Sequence, residues 1–228
     1  GSITCNDKSA TENYAALALN KDGKNATIAA TDVTFDIKGD SKKAKNGAEG
    51  GVITIDGNTD DVDVVVAYID NGGNYYYGYT SLKAAIAKAK EGETITLLRD
   101  LTMDYNARDA YETQAQNVVI DGNGKVLTLN QKNSDWASFG LANNSKLVLK
   151  NMTIEKTGYG DTSGAWNTHA IIFSCPVEMN GVTVNNSVAV QAAAALTNVT
   201  INEANGYYGL WINGNGQTVT VNGGAINA

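Results

Sequence analysis

A short alternating pattern recurs through the second half of the chain and limits its fold more than any other feature. Four copies of this pattern are Asn151-Met-Thr-Ile154, Gly181-Val-Thr-Val184, Asn198-Val-Thr-Ile201 and Gly223-Gly-Ala-Ile226. Upstream, Asp100-Leu-Thr-Met103 fits the same frame, and Leu127-Thr-Leu129 fits it from the second position onwards. Asp, Asn and Gly reach the left-handed backbone region at the lowest cost. Each copy is therefore predicted to place a left-handed bend between two short strands.

The spacing of these bends favours a coil. They fall at residues 100, 126, 151, 181, 198 and 223, so the steps between them are 26, 25, 30, 17 and 25 residues. Steps near one turn of a solenoid, with loops that absorb the differences in length, are typical of an all-β parallel β-helix. An antiparallel β-sandwich is the alternative, because short strands with frequent turns occur in both folds.

Residues 1–74 are predicted to form a separate small β module, an immunoglobulin-like or hairpin sheet with antiparallel strands. Two alternating stretches, residues 14–19 and 26–29, flank residues 20–24, which contain the Asp-Gly pair of a hairpin turn. Residues 33–37 continue this predicted sheet. A polar loop then leads to two further strands, at residues 52–55 and 62–69.

Between those last two strands, Asp56, Asn58 and Asp60 have the one, three, five spacing of a calcium loop. The match is incomplete, because Asp61 stands where glycine is required and Ala67 stands where a bidentate Glu is required. A solvated acidic turn explains the same residues. Calcium is the single cofactor that the sequence suggests, with Asp56, Asn58 and Asp60 as its candidate ligands.

One helix is predicted over residues 81–91, directly before the first strand of a β-helix that occupies residues 75–228. Thr80 or Ser81 can cap its N-terminus. Its apolar residues at helical spacing are Leu82, Ala85, Ile86 and Ala89. We expect this stripe to cover the first turn of the coil, because an uncovered turn exposes strand edges.

Two segments around this helix carry a family resemblance. Residues 79–102, YTSLKAAIAKAKEGETITLLRDLT, and residues 118–129, VVIDGNGKVLTL, resemble the start of a pectin-lyase-like right-handed parallel β-helix. They are similar in particular to repeats in large surface proteins of gut and oral bacteria. The resemblance implies a right-handed coil and a secreted or cell-surface bacterial protein. It does not specify an activity, since this fold carries lyases, hydrolases and non-catalytic adhesins alike.

Residues that could support catalysis are few. A lyase of this family would be expected to use several carboxylates and an Arg base, but the chain has only Arg99 and Arg108, both near the first turn. A glycosidase would need carboxylates close together. The scattered candidates are Asp135, Glu155, Asp161, Glu178 and Glu203. The lone His169 has no recognisable partner. We therefore assign no catalytic residue.

Aromatic residues gather in the longer connections of the coil. Trp136 and Phe139 fall in one, Tyr159 and Trp166 in the next, and residues 207, 208 and 211 in a third. Loops that leave one side of a coil stack at about 4.8 Å per turn and would present an aromatic strip for sugar rings. The alternative is that the rings pack down over the coil. The predicted ligand-binding residues are Trp136, Tyr159, Trp166, Tyr207, Tyr208 and Trp211.

Charge and composition restrict the partners. A net charge of −7 and a pI of about 4.7 argue against nucleic acid and anionic membranes. No stretch approaches the ~20 apolar residues of a membrane helix. Cys5 and Cys175 form no CxxC pair, and Cys175 is expected to be buried. The chain ends within a repeat at Ala228, so we expect the natural protein to continue, or a partner molecule to cover the last turn.

The sequence thus predicts a non-catalytic domain for adhesion or glycan binding, at the surface of a bacterium or secreted, as a monomer or part of a longer chain. Its expected ligand is a glycan or another component of a host or cell surface. A polysaccharide-degrading enzyme of the same fold is the first alternative, which clustered carboxylates beside a groove would favour. A structural spacer is the second, which buried aromatics would favour.

Overall fold

The computed structural model of the chain describes residues 1–6, 15–38, 42–70, 76–106, 110–132, 138–159, 170–204 and 208–228. Strands make up 59% of the protein, which winds into a parallel β-solenoid of about seven turns. The predicted parallel β-helix is confirmed, and the β-sandwich alternative is wrong. Among the described residues, no helix has the length and apolar character needed to cross a membrane.

The described residues up to Val64 form a short coil with parallel strands. These strands are β1 (Ser2–Asn6), β2 (Ala15–Leu19), β3 (Thr27–Ala30), β4 (Thr34–Lys38), β5 (Lys42–Asn46), β6 (Val52–Ile55) and β7 (Val62–Val64). β4 pairs with β1, β5 lies between β2 and β7, and β6 pairs with β3, in every case parallel. The predicted antiparallel sheet is therefore wrong.

The error arises at residues 20–24, which were predicted to be a hairpin turn. Two successive turns occur there, with the Gly23 N–H donating to the Asn20 carbonyl at 3.0 Å and the Ala26 N–H donating to the Gly23 carbonyl at 3.1 Å. Together they carry the chain around a corner of the coil. β2 and β3 consequently pair with strands of the next turn and not with each other.

The short coil has a small apolar core of its own. Ala44, Ile53 and Ile55 are buried in it, and Leu17, Leu19, Ile28, Phe35 and Val62 pack against them. This cluster is distinct from the main core, which begins with Ala67. The predicted domain boundary at residue 74 stays a prediction.

A hairpin and the helix connect the short coil to the longer one. β8 (Ala67–Asp70) pairs antiparallel with β9 (Tyr76–Tyr79) and with β10 (Thr94–Leu97), the first strand of the longer coil. Helix α1 (Leu82–Lys88) starts after Ser81, whose side chain accepts a hydrogen bond from the Ala84 N–H at 3.2 Å. The predicted apolar stripe is buried in the main core, which confirms the capping helix. The helix is shorter than the predicted 81–91, because Ala89 has an extended backbone.

The longer coil has three faces. Face 3 is formed by β12 (Ala110–Tyr111), β15 (Ser138–Leu141), β17 (Ile171–Phe173), β19 (Val188–Val190) and β21 (Leu210–Ile212). The first two turns of faces 1 and 2 use separate strands: β10 and β13 (Asn117–Asp121) on face 1, and β11 (Leu101–Tyr105) and β14 (Val126–Gln131) on face 2. In later turns one long strand runs from face 1 onto face 2: β16 (Lys146–Gly158), β18 (Val177–Val184), β20 (Ala194–Asn202) and β22 (Val219–Asn227).

The predicted left-handed residues bend these four long strands. Asn151, Gly181, Asn198 and Gly223 have φ values of 51°, 62°, 52° and 72°. Beyond the bend, Ile154, Val184, Ile201 and Ile226 pair in one column on face 2. The repeat frame is therefore confirmed for its four downstream copies.

The two upstream copies differ from the prediction. The second turn bends at Asn123 and Gly124, with φ of 52° and 73°, and Leu127 instead of Leu129 pairs with Ile154. Asp100 is not left-handed; its carboxylate accepts a hydrogen bond from the Val126 N–H at 2.8 Å. The corner between faces 1 and 2 is two residues longer in the second turn than in the third. A shift of two preserves the alternation of inward and outward side chains, so the apolar pattern does not reveal it.

Inward side chains stack in columns that fill the coil. On face 1 such a column is Ile120, Leu149, Met179 and Leu196. Phe139, predicted to lie in a connection, is instead a buried residue of β15. Its ring lies 4.9 Å from that of Tyr111 and 6.3 Å from that of Phe173, measured between centroids. Each fully buried side chain of this size contributes about 1.5 to 3 kcal/mol to folding, so these columns provide the main stabilisation.

Candidate functional site

The two longest connections of the longer coil, residues 159–170 and 203–209, both run from face 2 to face 3. Residues 106–109, 132–137 and 185–187 make the shorter connections along the same edge. We call this edge of the coil the loop corner. Of the predicted ligand-binding aromatics that the structure describes, Tyr159 and Tyr208 lie there, and Trp211 lies in β21. Trp136, Trp166 and Tyr207 fall outside the described residues.

Two of the predicted aromatics are exposed at the loop corner. Tyr159 is 47% exposed and Tyr208 is 62% exposed. Trp211 is partly buried and packs against Ala170, Ile172 and Ala189. Ile172 and Ala189 share its register column on the outer side of face 3. Trp211 therefore helps to seal the flank of the coil, whereas the two tyrosines are exposed. Binding at all six residues stays a prediction.

Buried polar side chains lie beneath the loop corner. Lys156, Asn186 and Glu203 occupy equivalent positions in three successive turns, each two residues after a buried aliphatic residue of face 2. Lys156 is 3% exposed and Glu203 is 7% exposed. Burying such charges is costly unless hydrogen bonds satisfy them. The polar atoms of these residues are accordingly held by specific partners.

Those partners are backbone groups at the ends of the strands and the hydroxyl of Ser187. The Asn186 side-chain oxygen accepts a hydrogen bond from the Lys156 N–H at 2.8 Å, and the Lys156 ammonium donates to the Tyr159 carbonyl at 3.1 Å. One Glu203 carboxylate oxygen accepts from the Ser187 N–H at 2.9 Å and from the Ser187 hydroxyl at 2.5 Å. These bonds replace the strand pairing that ends where the loops begin.

The first two turns use a neutral pair at the same corner. The Tyr105 hydroxyl donates to the Gln131 side-chain oxygen at 3.0 Å, and both side chains are buried. Burial, reinforced by Tyr111, raises the pKa of Tyr105 far above its usual range. Sequence analysis missed Gln131, Lys156, Asn186 and Ser187. The sequence does contain an indication of this corner, namely a polar residue at the position where the inward apolar column of face 2 should continue.

The described candidate carboxylates lie on different sides of the coil. Glu178, on the outer side of face 1, pairs with Lys146 at 3.0 Å. Glu155, on the outer side of face 2, accepts a hydrogen bond from the Asn185 amide at 3.2 Å. Glu203 is buried at the loop corner, bonded to Ser187. The structure therefore does not bring these three together, and Asp135, Asp161 and His169 fall outside the described residues.

Arg99 has a structural position at the junction of the two coils. Its Nε donates to the Val65 carbonyl at 2.9 Å and its Nη2 to the Ala48 carbonyl at 3.5 Å. Partial burial lowers the pKa of this guanidinium. Its contacts tie the first turn of the longer coil to the short coil. Arg108 lies outside the described residues.

The predicted calcium loop is a tight turn after β6. The Asp56 carboxylate accepts a hydrogen bond from the Asp32 N–H at 3.0 Å, and the Asn58 side-chain oxygen accepts one from the Asp60 N–H at 3.4 Å. Within the described ranges, no three His, Cys, Asp or Glu side chains are grouped so that they could hold a metal ion. Calcium binding by Asp56, Asn58 and Asp60 stays a prediction.

Both cysteines are free thiols. Cys5 is half-buried, and Cys175 is buried as predicted. Burial raises the pKa of the Cys175 thiol, partly opposed by backbone hydrogen bonds. A thiol held protonated in this way is a poor nucleophile, so Cys175 serves as a packing residue.

Comparison with models of known protein families gives no match, and comparisons with characterised proteins and with solved structures give none either. The resemblance to pectin-lyase-like surface proteins therefore rests on residues 79–102 and 118–129. The fold and the loop corner define the chain as a parallel β-solenoid domain in which one corner carries the long connections.

Proposed function

We propose that this chain is a non-catalytic domain for glycan binding or adhesion, secreted by a bacterium or displayed at its surface. The observation that supports this most directly is the exposure of Tyr159 and Tyr208 at the loop corner. Burying apolar ring surface against a ligand gains about 25 cal/mol per Å². The ring faces of exposed tyrosines suit the apolar faces of sugars, and their hydroxyls suit sugar hydroxyls.

The contacts of the described carboxylates favour binding over catalysis. Glycosidases hold their two carboxyl groups about 5 to 9.5 Å apart across the scissile bond. Glu155, Glu178 and Glu203 each make a structural hydrogen bond or ion pair, and they occupy three different parts of the coil. A polysaccharide-degrading enzyme is the alternative, and it would depend on residues beyond these three.

Binding and degradation are separated by two assays on the same protein. A glycan array measures binding, and release of reducing sugar from pectin, xylan and mucin glycans measures degradation. We expect binding without release, and weaker binding by Tyr159→Ala and Tyr208→Ala. Tyr68→Ala, which removes a tyrosine of β8 outside the loop corner, is the matched control and should bind normally. Release of sugar would show that the protein is a polysaccharide-degrading enzyme. Inactivity in both assays would favour the role of a structural spacer.

A further inference from the structure

The outer side of face 2 carries a regular polar array. Its first outward column contains Thr153, Thr183 and Thr200, which pair in successive turns. Its second outward column contains Glu155, Asn185, Asn202 and Asn227. We call these seven residues the Thr/Asn array. Their side chains alternate with the buried column of Ile154, Val184 and Ile201, so the array lies on a packed support.

Hydrogen bonds fix the second column. The Asn227 amide donates to the Asn202 side-chain oxygen at 2.8 Å, and Asn202 donates to Asn185 at 3.0 Å. Asn185 in turn donates to the Glu155 carboxylate at 3.2 Å. Each Asn amide has two N–H groups, so one remains for a ligand after this bond is made. The array therefore offers donors whose orientation is set before binding, which lowers the entropy cost of association.

The charge of the array differs from that of the whole chain. Its members in the last three turns are Thr and Asn, whereas the chain has a net charge of −7. With Glu155 as the one carboxylate of the array, such a surface gives no electrostatic attraction to an acidic polymer. Hydroxyl and amide groups exchange hydrogen bonds readily with neutral hydroxyls. The chemistry of the array thus matches an uncharged polyhydroxyl ligand.

The geometry of the array also suits a polymer. Equivalent side chains in successive turns lie about 4.8 Å apart, the spacing of neighbouring strands. This spacing is close to the length of one sugar residue in an extended β-linked polysaccharide. Tyr159 borders the array, because it follows the outward Thr157 of β16 by two residues. The Tyr159 N–H still bonds to the Gln131 carbonyl of the neighbouring strand at 2.8 Å.

We propose that the Thr/Asn array is a track for an extended, uncharged, β-linked polysaccharide that lies along the coil axis with about one sugar per turn. This inference rests on the proposed glycan binding and extends it from the loop corner across face 2. Tyr159 then marks the edge of the track. Affinity increases with chain length, since each added sugar contacts another turn.

Two outward positions of β20 provide a matched test. Thr200→Arg places a bulky charge in the track, and Ala195→Arg places the same side chain on the outer side of face 1. The probes are xylan- and cellulose-derived oligosaccharides of increasing length, with polygalacturonate as the acidic comparison. Calorimetry measures the affinity of each probe for the protein. We expect Thr200→Arg to weaken binding of the longest neutral oligosaccharide by about tenfold, which corresponds to about 1.4 kcal/mol. Ala195→Arg should bind like the unaltered protein.

Thr183→Arg is a second track variant, so that the test does not depend on one substitution, and circular dichroism verifies the fold of each. Normal binding by both Thr→Arg variants, together with loss in Tyr159→Ala and Tyr208→Ala, would overturn the track and leave the proposed function intact. Binding to acidic or branched glycans alone would have the same meaning. A protein that binds no glycan on the array would overturn both proposals.

Discussion

The two corners of face 2 turn the chain in different ways. At the corner with face 1, left-handed Asn or Gly residues bend the continuous strands β16, β18, β20 and β22, and the exposed Asn151 amide bonds to the Asp121 carboxylate at 3.3 Å. At the loop corner, buried side chains such as Glu203 hold strand ends from which connections of very different length begin. Along these four strands the corner closed by backbone conformation has a constant length. A corner that releases loops needs polar side chains in the core, since backbone partners end there.

The largest effect is expected from Glu203→Leu at the loop corner. This change leaves the N–H and hydroxyl of Ser187 buried without their acceptor, and we expect the free energy of unfolding to fall by about 3 kcal/mol. Chemical denaturation measures it. Glu178→Leu is the matched control, because its exposed ion pair with Lys146 contributes less than about 1 kcal/mol. Equal losses in the two variants would contradict a special role for the loop corner.

At the opposite corner, Asn151→Val should lower the free energy of unfolding by about 2 kcal/mol. A β-branched residue has a high cost at a φ of 51°, and the bond to Asp121 is also lost. Asn151→Gly keeps the left-handed conformation accessible and removes only the side-chain bond, so its loss should stay below about 1 kcal/mol. Thermal unfolding distinguishes the two. If the glycine variant lost as much as the valine variant, the side chain rather than the backbone would control this corner.

Alkaline pH tests the neutral pair of the loop corner. The pKa of Tyr105 is raised in the folded protein, so the unfolded chain releases this proton first, near the ordinary value of about 10. The stabilisation is complete below that pH. As pH rises above about 10, the contribution of Tyr105 to the free energy of unfolding falls by about 1.4 kcal/mol per pH unit. Denaturation curves across this range, compared with those of Tyr105→Phe, isolate the contribution. A slope unchanged in Tyr105→Phe would exclude Tyr105 as its source.

The smallest effect is expected from Gly181→Asn. Asn tolerates the φ of 62° at this bend, and a side chain there has room, with the Asn151 Oδ1 as its near neighbour at 3.5 Å. We expect a change in the free energy of unfolding within about 1 kcal/mol, in the stabilising direction, because replacing glycine restricts the unfolded chain. Gly181→Val, which cannot adopt this conformation cheaply, should destabilise. Destabilisation by both would mean that this corner requires glycine itself.

The four downstream bends and the capping helix could be predicted because their causes are local. Asn151 and Asn198 are left-handed for reasons of their own chemistry, and the helix stripe follows from spacing along a few residues. The strand pairing of the short coil depended on residues distant in sequence, so the Asp-Gly turn at residues 22 and 23 was mistaken for a hairpin. Glu203 was considered only as one of the scattered carboxylates, because charged residues are rarely buried. Only its contact with Ser187 in a neighbouring turn reveals its role.

The extra two residues at the corner between Asp121 and Val126 have a consequence for how such coils diverge. Paired residues on either side of this corner are five residues apart in the first turn, Thr96 to Leu101, six in the second, Asp121 to Leu127, and four in the third, Lys150 to Ile154. The inward columns stay aligned although these steps differ by odd and even numbers, whereas a one-residue slip within a straight strand would move its apolar side chains to the surface. As such coils diverge, insertions and deletions of either parity should therefore survive at the corners and be lost within the strands.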